Sequence, residues 1–352
     1  MKRNKFLMAI VGVAILSGVL FSGAILATGI QRGMADSAQT SSAQRGKQLK
    51  PYLLEKTRLD DFSEISIDLS YSNVTVIPSD GYYLEYRLDG THQEPVYGVS
   101  NGKFYFQEGN LQRQFQISWN LFGALQEQEP FYLNLYVPKE SAFDAVAMDL
   151  ESGNLELGQM EAKKASFALE YGNFTSDTLT GGEIAIRTES GNVEMGDVAC
   201  EKLKIQAEYG NVTGGQFTIS RRADFSMDSG NLELSKLSGD SFKLSNAYGN
   251  CTVDTFLASD SSITMDSGCL TLLDAAFETT DIRSEYGDTE ITLADGTEGY
   301  NYNVETEYGT VSIDGKTITA EEDDENVAYH RTDEKINKRI QIQGESGNIR
   351  IR

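Results

Sequence analysis

Ile184-Ala185-Ile186-Arg187-Thr188-Glu189-Ser190-Gly191-Asn192-Val193-Glu194-Met195 carries two kinds of information. Ile184, Ile186, Thr188 and Ser190 alternate with Ala185, Arg187 and Glu189, and Val193 and Met195 then flank Glu194. Period-two alternation over runs this short marks a β-strand with one buried face. Between the two runs stands Ser190-Gly191-Asn192, and that phrase returns along the chain. Glycines of a Ser/Tyr-Gly-Asn phrase fall at 153, 172, 191, 210, 230, 249, 268, 287, 309 and 347. Their spacings are 19, 19, 19, 20, 19, 19, 19, 22 and 38 residues, the last being two beats with one phrase missing. A fixed period of this length is the signature of stacked repeats.

Three apolar columns follow the beat. Five residues before each glycine stand Met148, Phe167, Ile186, Ile205, Phe225, Leu244, Ile263, Ile282, Val304 and Ile342; two after it come residues such as Leu155, Val193, Leu232 and Ile349. Seven after it the column runs from Met160 through Phe217 to Ala275 and Ala294. The prediction is an all-β, single-stranded parallel β-solenoid of roughly nineteen-residue coils around a narrow dry interior. The phrase is its corner, since glycine permits positive φ and Asn tolerates the left-handed region. Asn154, Asn173, Asn192, Asn211, Asn231, Asn250 and Asn348 should form a coil-to-coil ladder, loosened by Cys269, Asp288 and Thr310. The slot before the glycine alternates Ser152, Tyr171, Ser190, Tyr209, Ser229, Tyr248, Ser267, Tyr286, and Tyr308 breaks the order. By parity this slot points inward, and large–small alternation there reads as core interdigitation.

Ile65 to Val76 fits the same template, so a first coil precedes residue 78; the repeat then stops until Val146. Strand-like runs at Tyr82–Leu88, Lys103–Gln107, Gln114–Trp119 and Phe131–Val137 make residues 79–145 an aromatic-rich antiparallel excursion at the N-terminal end of the stack. It reads first as a capping sheet. Its aromatics, with Tyr83, Tyr105, Trp119 and Tyr132 in front, are the candidate ligand surface, able to stack sugars or grip a peptide.

The ends set the compartment. Phe6 to Ile30 is uncharged and mostly apolar, and reaches roughly 37 Å as a helix, enough to cross a bilayer with tilt. Lys2, Arg3 and Lys5 before it predict a cytoplasmic tail at 1–5, a transmembrane signal anchor at 6–30 and an exported remainder in the cell envelope. Residues 31–60 read as a flexible stalk and 61–352 as the solenoid. The chain ends mid-strand with Ile349 and Ile351 inward and Arg350 and Arg352 outward, an open edge that the arginines would guard.

Thirty basic against fifty-three acidic residues give a net charge of −23, which argues against nucleic acid and anionic lipid as partners. Two residues before the corner glycines, Glu151, Glu170, Glu189, Glu208, Asp228, Asp266, Glu285, Glu307 and Glu345 form an outward acidic column, interrupted by Ala247. Neighbours about 5 Å apart repel by roughly 0.8 kcal/mol per pair in water. The column reads either as a strip of divalent-cation sites, with Glu151, Glu170, Glu189, Glu208 and Asp228 as candidate ligands, or as a solvated face. The glycine-aspartate nonapeptides of calcium-binding solenoids do not occur, which favours the solvated face. His92 and His330, the two histidines, sit in no metal-ligand or triad spacing, and no Gly-x-Ser-x-Gly elbow occurs. No catalytic residue and no cofactor is predicted.

Ile-Ser-Ile-Asp-Leu-Ser-Tyr-Ser-Asn-Val at 65–74, Leu-Tyr-Val-Pro at 135–138 and the Glu-Ser-Gly-Asn and Glu-Tyr-Gly-Asn coils resemble the putative-adhesin family of β-strand-repeat proteins, a domain of unknown function common in Gram-positive bacteria. The resemblance spans roughly 60–352 and implies an envelope protein linked to surface attachment or envelope-stress signalling. It carries no catalytic residues. The expected role is a non-catalytic, membrane-anchored scaffold or adhesin-like module engaging cell-wall glycan, peptide or another envelope protein. The alternatives are a stress sensor acting through a membrane partner and a polysaccharide-cleaving β-helix enzyme.

Overall fold

The computed structural model describes residues 50–109, 111, 130–318 and 326–352. The expected anchor at 6–30 and the run 114–119 with Trp119 lie outside the described residues. No described helix is long and apolar enough to cross a membrane.

The described residues open with β1 (Tyr52–Arg58), β2 (Glu64–Tyr71), β3 (Asn73–Ser79), β4 (Tyr83–Leu88), β5 (Val96–Ser100), β6 (Lys103–Gln107) and β7 (Tyr132–Pro138). It then winds through β8 (Ala142–Ser152), β9 (Leu155–Tyr171), β10 (Phe174–Ser190), β11 (Val193–Tyr209), β12 (Val212–Ser229), β13 (Leu232–Tyr248), β14 (Cys251–Ser267) and β15 (Leu270–Tyr286). It closes with β16 (Thr289–Leu293), β17 (Asn301–Tyr308), β18 (Val311–Ile313), β19 (Lys316–Ile318), β20 (Val327–Arg331), β21 (Arg339–Ser346) and β22 (Ile349–Ile351).

From β8 to β16 every neighbour is parallel and each residue lies opposite the one a beat away: Ile186 pairs with Phe167 on one side and Ile205 on the other. Within one coil, Val193, Met195, Val198, Cys200, Leu203, Ile205 and Ala207 are buried. Parity slips between these groups. Gly196-Asp197, Glu201-Lys202 and Glu208-Tyr209-Gly210-Asn211 all face out or lie at the rim, so each coil has three flat sides and three bends. All three predicted apolar columns are buried except Ala294, where the chain leaves the stack. The single twenty-residue beat is absorbed at a bend: register shifts between Ile219 and Arg222, and the columns on either side stay aligned.

The Ser/Tyr slot corrects the parity argument. Tyr171, Tyr209, Tyr248, Tyr286 and Tyr308 are 58–66% exposed. Alternation counted from Leu203, Ile205 and Ala207 would bring Tyr209 inside, but the flat side ends at Ala207 and the bend turns Glu208 and Tyr209 out together.

The Asn ladder forms as expected and starts one coil earlier. Asn73 Oδ1 accepts from Asn154 N, Asn154 Oδ1 from Asn173 N, and the series continues through Asn250 Oδ1 to Cys269 N, each bond 2.9 Å. Cys269 has no amide carbonyl to offer. The ladder resumes with Asp288 Oδ1 to Asn348 N at 2.7 Å and Asn348 Oδ1 to Thr310 N at 3.2 Å.

Both ends of the stack depart from chain order. At the start, β2 lies between β6 and β8, and β3 between β7 and β9, all parallel. The 79–145 excursion is therefore only partly antiparallel: β6 and β7 extend the parallel stack outward, while β5 covers β6 and β4 covers β7 antiparallel. β1 then pairs with β4, so the end of the expected stalk is ordered strand. At the far end, β21 lies between β15 and β17, and β22 between β16 and β18. The C-terminal strand is thus no open edge. Its Arg352 pairs with Glu290 at 2.7 Å, and β19 and β20 close the stack antiparallel.

The N-terminal cap is held by aromatic and charged contacts. Phe104, Phe106 and Tyr86 are buried, and Lys56 Nζ sits 3.8 Å from the Tyr136 ring centre. Glu85 accepts from Tyr136 OH at 2.7 Å, Tyr132 OH at 3.3 Å and Asn134 Nδ2 at 3.4 Å. The Tyr136 hydroxyl, aided by Asn134 and Tyr132, holds the Glu85 carboxyl below its usual range against the opposing effect of burial. A carboxyl depressed by folding stabilises the fold above the ordinary carboxylate pKa and loses that contribution as pH falls through its folded value.

Gly249, at φ +139, would place a Cβ 2.0 Å from the Gly230 carbonyl oxygen, whereas a Cβ on Gly299 meets nothing within 4 Å. Gly249→Ala should destabilise the chain by roughly 3 kcal/mol or more in urea unfolding, and Gly299→Ala by less than about 1 kcal/mol. In the cap, Tyr136→Phe should cost about 1 kcal/mol at pH 7, with the deficit shrinking as pH is lowered through the carboxylate range in thermal unfolding.

Candidate functional site

Non-sequential ends have a consequence on the surface. Following register pairs through the stack, the slot before each corner reads Tyr71, Ser152, Tyr171, Ser190, Tyr209, Ser229, Tyr248, Ser267, Tyr286, Ser346, Tyr308. The alternation that Tyr308 breaks in sequence is whole in space, because β21 brings Ser346 between Tyr286 and Tyr308. Among the described residues the file has eleven levels, with tyrosine at every second one. Coils about 4.8 Å apart put successive rings about 9.6 Å apart. The rings are exposed, and the serines between them are half-buried, so side-chain bulk drops at each intervening level.

The acidic column runs beside this file, one residue earlier in each coil. Its members are exposed or half-exposed, so their predicted outward direction holds. Arg187 pairs with Glu189 at 2.9 Å and Glu208 at 3.4 Å. Burial, then Glu189, Glu151 and Asp149, raise the Glu170 carboxyl, with Arg187 opposing. Toward the C-terminal end a cleft of about 600 Å³ opens on this face, lined by Arg283, Glu285, Glu305, Glu307, Gln343 and Glu345. The Asn ladder borders the tyrosines on the other side. Its Oδ1 atoms are spent on backbone N–H groups, and the Nδ2 amides of Asn173 and Asn348 each give one hydrogen back to the ladder.

Among the described residues the column does not gather three carboxylates closely enough for one ion. The group that does approach, with ligand atoms all within 4.8 Å, is Asp89, His92 and Glu108 in the cap. His92 is 4% exposed, with Nδ1 3.5 Å from Glu108 Oε1 and 3.0 Å from Thr91 Oγ1. Glu108 Oε2 accepts from Ser70 N at 2.8 Å, and Asp89 Oδ1 from Thr91 N at 2.8 Å. These bonds fasten the 89–92 turn to β6 and to the first corner, where the His92 ring lies 5.8 Å from that of Tyr71. Spacings of three and sixteen residues give no sequence signal for the cluster.

The predicted cap aromatics are largely committed to contacts within the cap. Tyr132 OH bonds Glu85, and Tyr83 packs edge-on to Tyr136 under Lys56. Tyr105 is 37% exposed and lies beside Gly98. Tyr83 and Tyr132 thus share the half-exposed face of the β4–β7 pair, while Tyr105 lies apart on β6. Parity alone hides the tyrosine file, because it assigns the rings to the core.

Comparison with curated proteins gives no match. Solved structures with a similar arrangement include a putative adhesin from Parabacteroides distasonis, 11% identical, covering 86% of this chain and 97% of that one at a TM-score of 0.38. A putative lipid binding protein from the same species is 12% identical, with coverages of 86% and 97% and a TM-score of 0.34. A putative adhesin from Bacteroides fragilis is 11% identical, with coverages of 88% and 100% and a TM-score of 0.32. The Toastrack DUF4097 family model matches residues 62–352, from the buried Phe62 ahead of β2 to the last residue of the chain. On that match, the chain belongs to the Toastrack DUF4097 family.

Proposed function

We propose that this protein is a membrane-anchored, extracytoplasmic β-solenoid that acts as a non-catalytic, adhesin-like binding module of the cell envelope. The observation that carries the reading is the exposed tyrosine file. Large exposed aromatics in a continuous array mark interaction surfaces, because the ring supplies contact area and the hydroxyl a hydrogen bond. A solenoid makes such an array long by repeating one side-chain set along its axis. Catalysis needs the opposite, one set of groups converging on one reacting atom. The apolar run at 6–30 behind Lys2, Arg3 and Lys5 supports the anchor and its orientation, and the acidic surface supports a partner other than nucleic acid or anionic lipid.

The test replaces Tyr171, Tyr209, Tyr248 and Tyr286 together by Ser in the full chain. Retention of the solubilised protein on isolated cell envelopes should fall at least ten-fold while the unfolding midpoint changes little, since these rings are already in water. Unchanged retention would remove the tyrosine file as the binding surface.

A further inference from the structure

The spacing of the file also bears on partner class, an inference that rests on the reading of the file as a binding surface. A ligand lying along it meets an aromatic ring every 9.6 Å or so. An α-helix advances about 5.4 Å per turn, so two turns overshoot by more than 1 Å at each ring. An extended β-strand returns a side chain to the same face every 6.7 Å or so, and three of its residues, though near the right length, end on the opposite face. Polyproline II repeats every three residues at about 3.1 Å each, or about 9.3 Å per turn, with the same edge facing the same way. Its mismatch is about 0.3 Å per ring, small enough for side-chain adjustment over several levels.

Two further features agree. A polyproline II chain makes no internal hydrogen bonds and keeps its carbonyls free to accept. The Asn ladder beside the rings has its Oδ1 atoms engaged in the coil-to-coil bonds and carries two hydrogens on each Nδ2, one of which Asn173 gives to Asn154 Oδ1. On the other flank the acidic column gives up to two carboxylates per 9.6 Å, with Arg187 paired to two of its members and Arg283 beside three more. A basic ligand would supply the missing counter-charge, and the net charge of −23 would draw it in.

We propose that the Tyr71–Tyr308 file with its flanking carboxylates binds a basic, proline-rich polypeptide in the polyproline II conformation, prolines seated over the serines between rings and Lys or Arg directed to the acidic column. Prolines docking against aromatic ridges is an established mode of peptide recognition, and this surface would extend it over a continuous array.

The experiment titrates the full chain in detergent with three fluorescent probes. They are a peptide of six Pro-Pro-Arg triplets, one of six Gly-Gly-Arg triplets with the same charge and period, and a neutral β-1,4-linked N-acetylglucosamine oligomer. The Pro-Pro-Arg peptide should bind at least ten-fold more tightly than the Gly-Gly-Arg peptide. That advantage should vanish in the Tyr171→Ser, Tyr209→Ser, Tyr248→Ser, Tyr286→Ser variant. It should vanish equally in Ser190→Tyr, Ser229→Tyr, which fills two serine levels and keeps every ring. Equal affinity for the two peptides, or an advantage that survives both variants, would overturn the proposal. Binding of the glucosamine oligomer in preference to the Pro-Pro-Arg peptide, lost in the tyrosine variant, would overturn it too while leaving the file as a binding surface. Failure of the envelope-retention test would instead remove the functional reading beneath it.

Discussion

Close stacking of the corner backbones governs the rest of this molecule. A Cβ built on Gly172 would lie 2.0 Å from the Gly153 carbonyl oxygen, one on Gly210 2.0 Å from that of Gly191, and one on Gly268 2.0 Å from that of Gly249. At φ between +133 and +148 these glycines also occupy backbone space that a side chain disfavours. Both demands recur at the corners from Gly153 to Gly287 and at Gly347, so a glycine returns once per coil there, and the nineteen-residue beat is the coil's circumference. Corners in register then force their neighbours into files. The Asn ladder, the acidic column and the tyrosines are columns because the glycines between them cannot shift.

The same constraint explains how the stack ends. Parallel coils leave a row of unpaired backbone groups at each end, and such edges template association. Here β2–β3 and β21–β22 are sandwiched within the stack, and shorter antiparallel strands cover the outermost levels. Residues 349–351 are central to the far end of the stack: Ile349 and Ile351 are buried between β16 and β18. Stability of that end therefore depends on a segment far in sequence from one of its two neighbours, with 60 residues separating Arg352 from the Thr292 hydroxyl it contacts.

How much of this can be read from the residues depends on what is periodic. The glycine beat, the buried columns at Ile186, Val193 and Val198, and the Asn ladder are local repeats, and each is legible. Parity gives the interior correctly as far as Ala207 and fails at Tyr209, because alternation says which residues share a face but not where a flat side ends. The insertions at the two ends leave no periodic trace. Ile342 and Ile349 fit the coil template equally well as a last level or a penultimate one. The strand at Tyr52–Arg58 pairs with one neighbour and is mostly exposed, so it lacks the apolar alternation by which strands are recognised. The Asp89–His92–Glu108 cluster depends on a turn meeting the end of β6, which no spacing encodes.

For the tyrosine file, position decides meaning. Inside a core, alternating Tyr with Ser would be a packing solution; outside, packing does not require it. Identical aromatic side chains stack at the 4.7–4.8 Å repeat of cross-β assemblies, so rings at every level of an exposed corner would be tolerated, and serine at every level would expose less apolar surface. Neither uniform choice was made. The alternation also ignores chain order: it runs through Ser152 next to Tyr71, 81 residues away in sequence, and through Ser346 between Tyr286 and Tyr308, across the displaced coils. A pattern that is correct in space and broken in sequence belongs to the assembled surface rather than to the folding of any one coil. What it adds to that surface is a doubled spacing, and doubled spacing matters to something that lies along the outside of the stack.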